Sequence, residues 1–372
     1  MLKIQEFIQA HKDWEQLLAA APYNLTIKWD DGFVLFKYNQ ISSDFSQDIC
    51  KEARGLILDS TQNFKVVRLA FEKFFNLQEP FAAQIDWDTA VGSEKLDGSL
   101  MSVWFARGKW HLSTNSTIDA FKAEISSVSP YKTFGDLFES VLPLSFFENT
   151  VSSYFTHFCY TFELVSPFTQ IVLAYPETKV FLLSARNMQN LQEIPYDGIA
   201  EFAKRFNFTV PQFYYMNDEA GFKRLVESFD ETHEGIVIRD SFNNRVKLKT
   251  QLYFKLHRMA HNGQLTIDRA VNLIRTNEVE EFLCYFPQYK DYIKEIQDKY
   301  NQILLALDEV ELEVKEYKMK CNNKPRKEFA EFAKKKEYPF LYFKAYDEQD
   351  LKSYVENLTD TTFIKLFKIK GE

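Results

Sequence analysis

The sequence predicts an α+β protein: a domain built on antiparallel sheets over residues 1–254, then an all-helical C-terminal domain over 255–372. Three observations lead there. Apolar and aromatic runs recur in close pairs with turn residues between them as far as Lys249, the pattern of hairpins. Helical stretches interleave those pairs, which is the α+β arrangement. From Tyr289 onward, Tyr292, Ile293, Ile296, Tyr300, Ile303, Leu304, Leu307, Val310, Val314 and Tyr317 keep one helical face for several turns.

In chain order, Ile4, Phe7, Ile8, Trp14, Leu17 and Leu18 stand at helical spacing and predict one opening helix. Residues 25–29 and 33–38 flank Asp30-Asp31-Gly32 as a hairpin. Residues 55–59 pair with 64–69, and 100–105 with 110–114 around Arg107-Gly108-Lys109. Strands are also expected at 160–165, 179–185, 235–239 and 245–249, and helices at 120–127, 132–142, 199–206 and 219–228. A boundary falls near 252–258. Beyond it, Pro325 opens a helix through Phe329, Phe332 and Ala333, and 350–358 forms another.

Composition sets outer limits. A hydrophobic share of 45% with 36 phenylalanines fits a globular chain, not a disordered one. No apolar run approaches the roughly 20 residues of a membrane span, and the first residues lack a secretory pattern. Cys50, Cys159, Cys284 and Cys321 are scattered without zinc or disulfide spacing, so a cytoplasmic, reducing setting is expected. The net charge of −8 argues against indiscriminate coating of nucleic acid. Residues 255–372 nonetheless balance 21 basic against 21 acidic side chains, which places the acidity upstream.

The residues that carry chemistry centre on Ser93-Glu94-Lys95-Leu96-Asp97-Gly98-Ser99. An amine at a strand end can attack phosphorus, Asp97 can orient its surroundings, and Gly98 lets a phosphate approach the backbone. Taken alone, the run equally suits a solvated lysine before an Asp-Gly turn. Glu163 lies on the opposite strand face from Phe162 and Leu164, and a carboxylate in so apolar a strand wants a hydroxyl, metal or cation partner. Phe181 and Leu183 share a face fit to sandwich a flat base, or simply to fill a core. Glu234-Gly235 at a strand entry offers a metal-binding carboxylate beside an open backbone. Lys247 and Lys249 point together and repel unless an anion lies between them. Lys315, Lys318, Lys320, Lys324, Arg326, Lys327 and Lys334 to Lys336 form a basic run that suits an RNA backbone or an ordinary solvated helix. His257 and His261 have helical spacing but no third ligand, so capping or surface roles are favoured over zinc.

In this order, Lys95-Leu96-Asp97-Gly98, Phe162-Glu163, Phe181 to Leu183, Glu234-Gly235-Ile236-Val237 and Lys247-Leu248-Lys249 resemble the motifs of covalent nucleotidyltransferases, the ATP-dependent ligases and mRNA capping enzymes. The chain is more similar to the RNA ligase 1 family, phage-type enzymes that repair broken tRNA. Glu52-Ala53-Arg54-Gly55-Leu56, Lys73-Phe74-Phe75-Asn76, and Val246 to Thr250 followed by Tyr253 and Leu256-His257 carry that likeness. One departure is Thr114-Asn115-Ser116-Thr117, where the family usually has a basic residue and Gly-Ser.

The resemblance implies an ATP-grasp-like nucleotidyltransferase domain and a helical domain for RNA or tRNA specificity. It implies ATP and Mg²⁺, with Mn²⁺ as a substitute. Lys95 takes AMP from ATP, passes it to an RNA 5′-phosphate, and a 3′-hydroxyl then displaces it. Free lysine is protonated near pH 7, so Lys247, Lys249 and the metal are expected to release the amine. Arg54 and Lys73 would hold the β- and γ-phosphates, Phe75 would pack beneath the nucleotide, and Glu163 would contact ribose or metal. Leu183 and Val237 would clasp adenine. Glu234 is the preferred metal ligand and Asp97 the second. Strict alternation puts Glu234 and Val237 on opposite faces, so the strand must begin after Glu234 or be bulged. Tyr253 would support the phosphate lysines or pack between domains. The expected partner is RNA with 5′-phosphate and 3′-hydroxyl ends, cleaved tRNA among them, acted on by a monomer away from membranes. A DNA ligase or capping guanylyltransferase, or an inactive RNA-end binding module, stays open as the alternative. The first two typically append a small β-barrel where helices are expected here.

Overall fold

Turn chemistry sets the first sheet. Asp31 and Gly32 take positive φ of 47° and 74°, so a two-residue turn joins β1 (Thr26–Asp30) to β2 (Phe33–Lys37) with Asp30 opposite Phe33. β3 (Arg54–Asp59) and β4 (Lys65–Arg68) complete a four-stranded antiparallel sheet in chain order. The structure is a computed structural model and describes residues 1–40, 42–125, 129–151, 153–169, 173–250, 265–320 and 326–369. Within these, the chain divides into two units, Met1–His257 and Arg258–Glu372.

Two further sheets belong to the first unit. The strands follow as β5 (Phe75–Asn76), β6 (Val91–Glu94), β7 (Ser99–Ala106), β8 (Lys109–Thr114), β9 (Phe158–Val165) and β10 (Lys179–Asn187). β11 (Phe213–Tyr215), β12 (Gly235–Arg239) and β13 (Arg245–Lys249) complete the set. The second sheet runs β10-β9-β7-β8, all antiparallel. The third runs β11-β6-β12-β13-β5, antiparallel except where β5 joins β13. Two short strands, β5 and β11, carry too few residues to show a period and escape the sequence reading, while β6 supplies the strand end expected before Lys95.

Alternation decides what each face meets. Val34, Phe36, Leu56 and Leu58 turn one face of the first sheet to the helices Lys3–Ala10 and Asp48–Glu52. Phe33, Leu35, Ile57 and Val67 turn the other to Trp104 and Cys159 of the second sheet. That sheet presents Met101, Val103, Tyr160, Phe162 and Leu164 to Phe138, Phe147, Ile199 and Phe206 on three covering helices. Each fully buried phenylalanine contributes about 2–3 kcal/mol, so this aromatic core is the chief local source of stability. In the third sheet Ile236, Ile238, Val246 and Leu248 pack on Phe222 and Val226 of the helix Glu219–Glu227. Val237, Lys247 and Lys249 are therefore left on the opposite face.

Two expectations are corrected. The opening helix is two, Lys3–Ala10 and Trp14–Ala19, because His11 is extended, and the Glu52 carboxylate accepts the N–H groups of Lys3 and Ile4 to fix the first. Of the helix expected at 120–127, residues 126 and 127 lie outside the described residues; in the rest Asp119 caps a single 3₁₀ turn, Ala120–Lys122, and Glu124 then bridges to Thr133.

The second unit is helical. Ile293, Ile296, Tyr300, Ile303, Leu307, Val310 and Val314 form the buried stripe of a 31-residue helix, Lys290–Lys320. Shorter helices Ile267–Thr276, Val279–Tyr285, Arg326–Ala333, Pro339–Tyr346, Leu351–Glu356 and Asp360–Phe367 complete it. Tyr317 stacks on Phe332, with centroids 5.0 Å apart, and Tyr300 lies 5.0 Å from Phe363. Among the described residues no helix is long and apolar enough to cross a membrane.

Candidate active site

Lys95 directly follows β6, and its backbone N–H donates to the Gly235 carbonyl at 2.9 Å, which ties it to the start of β12. Gly98 lets the β6–β7 turn press on β9: a Cβ there would lie 2.5 Å from the Leu164 carbonyl oxygen. Asp97 is buried, its Oδ2 accepts the Leu173 N–H at 2.7 Å, and its own N–H donates to Tyr175 Oη at 3.0 Å. Burial pushes the Tyr175 phenol up to about 12. Asp97 thus braces the turn that carries Lys95.

Glu234 is the centre of the site. It is 2% exposed; Oε1 lies 2.6 Å from Lys95 Nζ and 3.4 Å from Lys249 Nζ, while Oε2 is buried with no hydrogen-bond partner. The strand begins after it, at Gly235, whose φ of +151° is a conformation L side chains rarely adopt and whose added Cβ would strike the Leu248 carbonyl. That break in alternation brings the Glu234 carboxylate to the lysine face. The sequence reading expects Lys247, Lys249 and a metal-binding Glu234 near Lys95; in the structure Lys95 pairs with the Glu234 carboxylate, which Lys249 shares.

Glu163 stands on β9 opposite Leu100 and Phe181. Burial pushes its carboxyl up to about 8; Lys95 and Arg54 pull it back, and Glu234 and Asp97 add to the rise. Arg54 opens β3 with its guanidinium 4.9 Å from the Phe74 ring centre, and its Nη1 is buried without a partner. Lys247 Nζ lies 5.8 Å from the same ring. Lys73 Nζ sits over Tyr38, Phe45 and Phe75 at 5.1–5.3 Å, and Phe75 is buried in the first sheet's core. Successive residues point to opposite sides, so Phe74 lies beside Arg54 and Lys247 while Phe75 lies beside Lys73. Leu183 is the extra residue of a bulge between Leu182 and Ser184, and Val237 pairs with Lys247 and Ser93.

The structure therefore gathers Lys95, Glu163, Glu234, Lys249 and Arg54, sets Arg54 and Lys247 at Phe74, and sets Lys73 at Tyr38, Phe45 and Phe75. Tyr253, His257 and His261 lie outside the described residues. Sequence reasoning missed Phe74, which strict alternation offered, and Leu173 and Tyr175, for which no local signal exists. Among the described residues no group of three or more His, Cys, Asp and Glu gathers as a metal cluster. Two carboxylates, one with an orphaned buried oxygen, still fit Mg²⁺, which is commonly held by one or two carboxylates together with phosphate oxygens. In the second unit Lys318, Lys320, Arg326, Lys334 and Lys336 each meet a carboxylate, so much of the basic run is compensated at the surface.

The family model described as RNA ligase matches residues 52–257. A putative bifunctional polynucleotide kinase/RNA ligase of Autographa californica nuclear polyhedrosis virus is 27% identical over 291 residues, or 72% of this chain and 39% of that protein. An RNA ligase of Rhodothermus phage RM378 is 24% identical over 346 residues, 76% of this chain and 77% of the other. An archaeal ATP-dependent RNA ligase structure matches with a TM-score of 0.50 at 13% identity, covering 83% of this chain and 82% of that one, a likeness of fold.

Proposed function

This chain belongs to the RNA ligase family, and we propose that it joins RNA 5′-phosphate and 3′-hydroxyl ends at the expense of ATP. In the first step a bond forms between Lys95 Nζ and the α-phosphorus, and the bond from that phosphorus to pyrophosphate breaks. AMP then passes to an RNA 5′-phosphate, and a 3′-hydroxyl displaces it to close the phosphodiester. Residues 1–254 act as the adenylyltransferase domain and 255–372 as the domain that selects RNA, cleaved tRNA included. The buried thiols of Cys50 and Cys159, both free, suit a reducing cytoplasm.

One observation carries this reading: the amine of Lys95 ends 2.6 Å from a carboxylate that also pairs Lys249. As the ammonium of an ion pair, Lys95 has no lone pair to offer, so reaction requires Glu234 to take another partner. Glu234 and Glu163 would hold the divalent ion, and that ion supplies charge that offsets the phosphates in the transition state. Arg54 and Lys247, flanking Phe74, are placed to orient pyrophosphate for departure. Val237 and Leu183 offer the apolar surface for adenine.

Incubation with labelled ATP and Mg²⁺ is expected to give a covalent protein–AMP adduct that Lys95→Met abolishes. Folded protein that forms no adduct with intact ATP would overturn the proposal. Labelled single-stranded RNA with a 5′-phosphate should then be circularised or joined in preference to nicked duplex DNA.

A further inference from the structure

A second guanidinium stands behind Arg54 and has no role in the steps above. Arg68, the last residue of β4, is fully buried, and among the described residues no carboxylate pairs with it. Its Nε donates to Ser102 Oγ at 3.1 Å, its Nη1 donates to the Gly55 carbonyl, and its Nη2 is buried without a partner. Arg54 Nη1 is likewise buried and unpartnered. Burial lowers Arg68 to about 10, with the charge of Arg54 adding to the fall, so the group is still cationic at neutral pH. A buried charge without an anion is costly to maintain, and two adjacent cations compound the cost.

Geometry ties the two arginines together. Gly55 follows Arg54 with φ of +72°, and a Cβ there would strike Arg68 and lie 2.6 Å from the Asn115 carbonyl oxygen. The peptide that sets the direction of Arg54 is therefore clamped between Arg68 and Asn115. Asn115 Oδ1 and Thr161 Oγ1 are also buried without partners, which makes this wall unusually rich in unmet polar groups.

We infer that Arg68 is a positioning residue for the pyrophosphate part of the nucleotide: it fixes Arg54 through the Gly55 carbonyl and adds a second positive charge behind it. The inference rests on the ligase reading of this site. It assigns no contact to adenine or ribose, so its effect must fall on the phosphate tail alone.

Calorimetric titration of the full chain with inorganic pyrophosphate, and separately with AMP, each with Mg²⁺, tests it. Arg68→Gln is expected to weaken pyrophosphate binding about tenfold or more, the loss of a charged hydrogen-bond donor, with AMP affinity unchanged and Arg68→Lys recovering most of the loss. Equal weakening of both ligands, or pyrophosphate affinity unchanged in folded Arg68→Gln, overturns it. If Arg68→Gln does not fold, Ser102→Ala, which removes the Nε partner, decides: selective weakening of pyrophosphate supports the inference and unchanged affinity overturns it. Failure of the unmodified protein to bind pyrophosphate or to form the Lys95 adduct instead sinks the ligase reading itself.

Discussion

At the scale of single residues, Glu234 does more than a metal ligand need do. It holds two ammonium groups at once, and one of its oxygens remains unmet. Glu234→Gln keeps the shape and removes the charge, so Lys95 and Lys249 lose the anion that sets their spacing. Single-turnover adduct formation is expected to slow about 10²-fold or more, the usual scale for losing a preorganised charge in a dry site. Glu163 is different in kind: burial pushes its carboxyl up, against the pull of Lys95 and Arg54. The two carboxylates were both visible in the sequence. Their division of labour was not, because it depends on which of them meets the amine.

At the scale of elements, the start of β12 decides whether the site exists. Gly235→Ala forces a Cβ against the Leu248 carbonyl at a backbone angle that alanine avoids. A loss of about 1–3 kcal/mol is expected in urea unfolding, together with weakened adduct formation as Glu234 swings off the lysine face. Local chemistry made other elements easy to read. The turns Asp31-Gly32 and Arg107-Gly108 both take paired positive φ, and the strands around them fall within a residue or two of expectation. Long strands such as β7 and β9 carry enough alternation to fix their faces. β5 and β11, of two and three residues, exist only through pairing with distant strands. The break between the two opening helices was equally hidden, since part of its cause, Glu52, lies far along the chain. In the helical unit the seven-residue buried stripe was legible, as were the helices Arg326–Ala333 and Leu351–Glu356, whereas Ile267–Thr276, Val279–Tyr285, Pro339–Tyr346 and Asp360–Phe367 give too few turns to define a period.

At the scale of the whole catalytic unit, the second and third sheets are clasped by one carboxylate. Glu193 is fully buried; it accepts from Arg245 at 3.1 Å, from Arg186 and from Ser184 at 2.8 Å, and lies 3.8 Å from Arg239. Burial pushes its carboxyl up, and the guanidiniums of Arg245, Arg186 and Arg239 overcome this and hold it down at about 2. Because the folded value lies below the unfolded one, this stabilisation is complete above about pH 4.5 and disappears as pH falls towards 2. Urea midpoints measured across that range should drop for the unmodified protein. Glu193→Gln should lose about 3–5 kcal/mol at pH 7, since it strands three cations, and should show a shallower acid slope. None of these partners is suggested by a motif; only the assembled sheets bring them together.

That assembly has a temporal side. β6 must wait for β11 and β12, and β5 for β13, so strands made early in synthesis find their neighbours only after much later segments have left the ribosome. A nascent chain halted before Glu234 already carries Lys95, yet has neither the anion that pairs it nor the lysine that shares that anion. The capacity to capture a nucleotide therefore arrives late in translation, as a property of the finished fold.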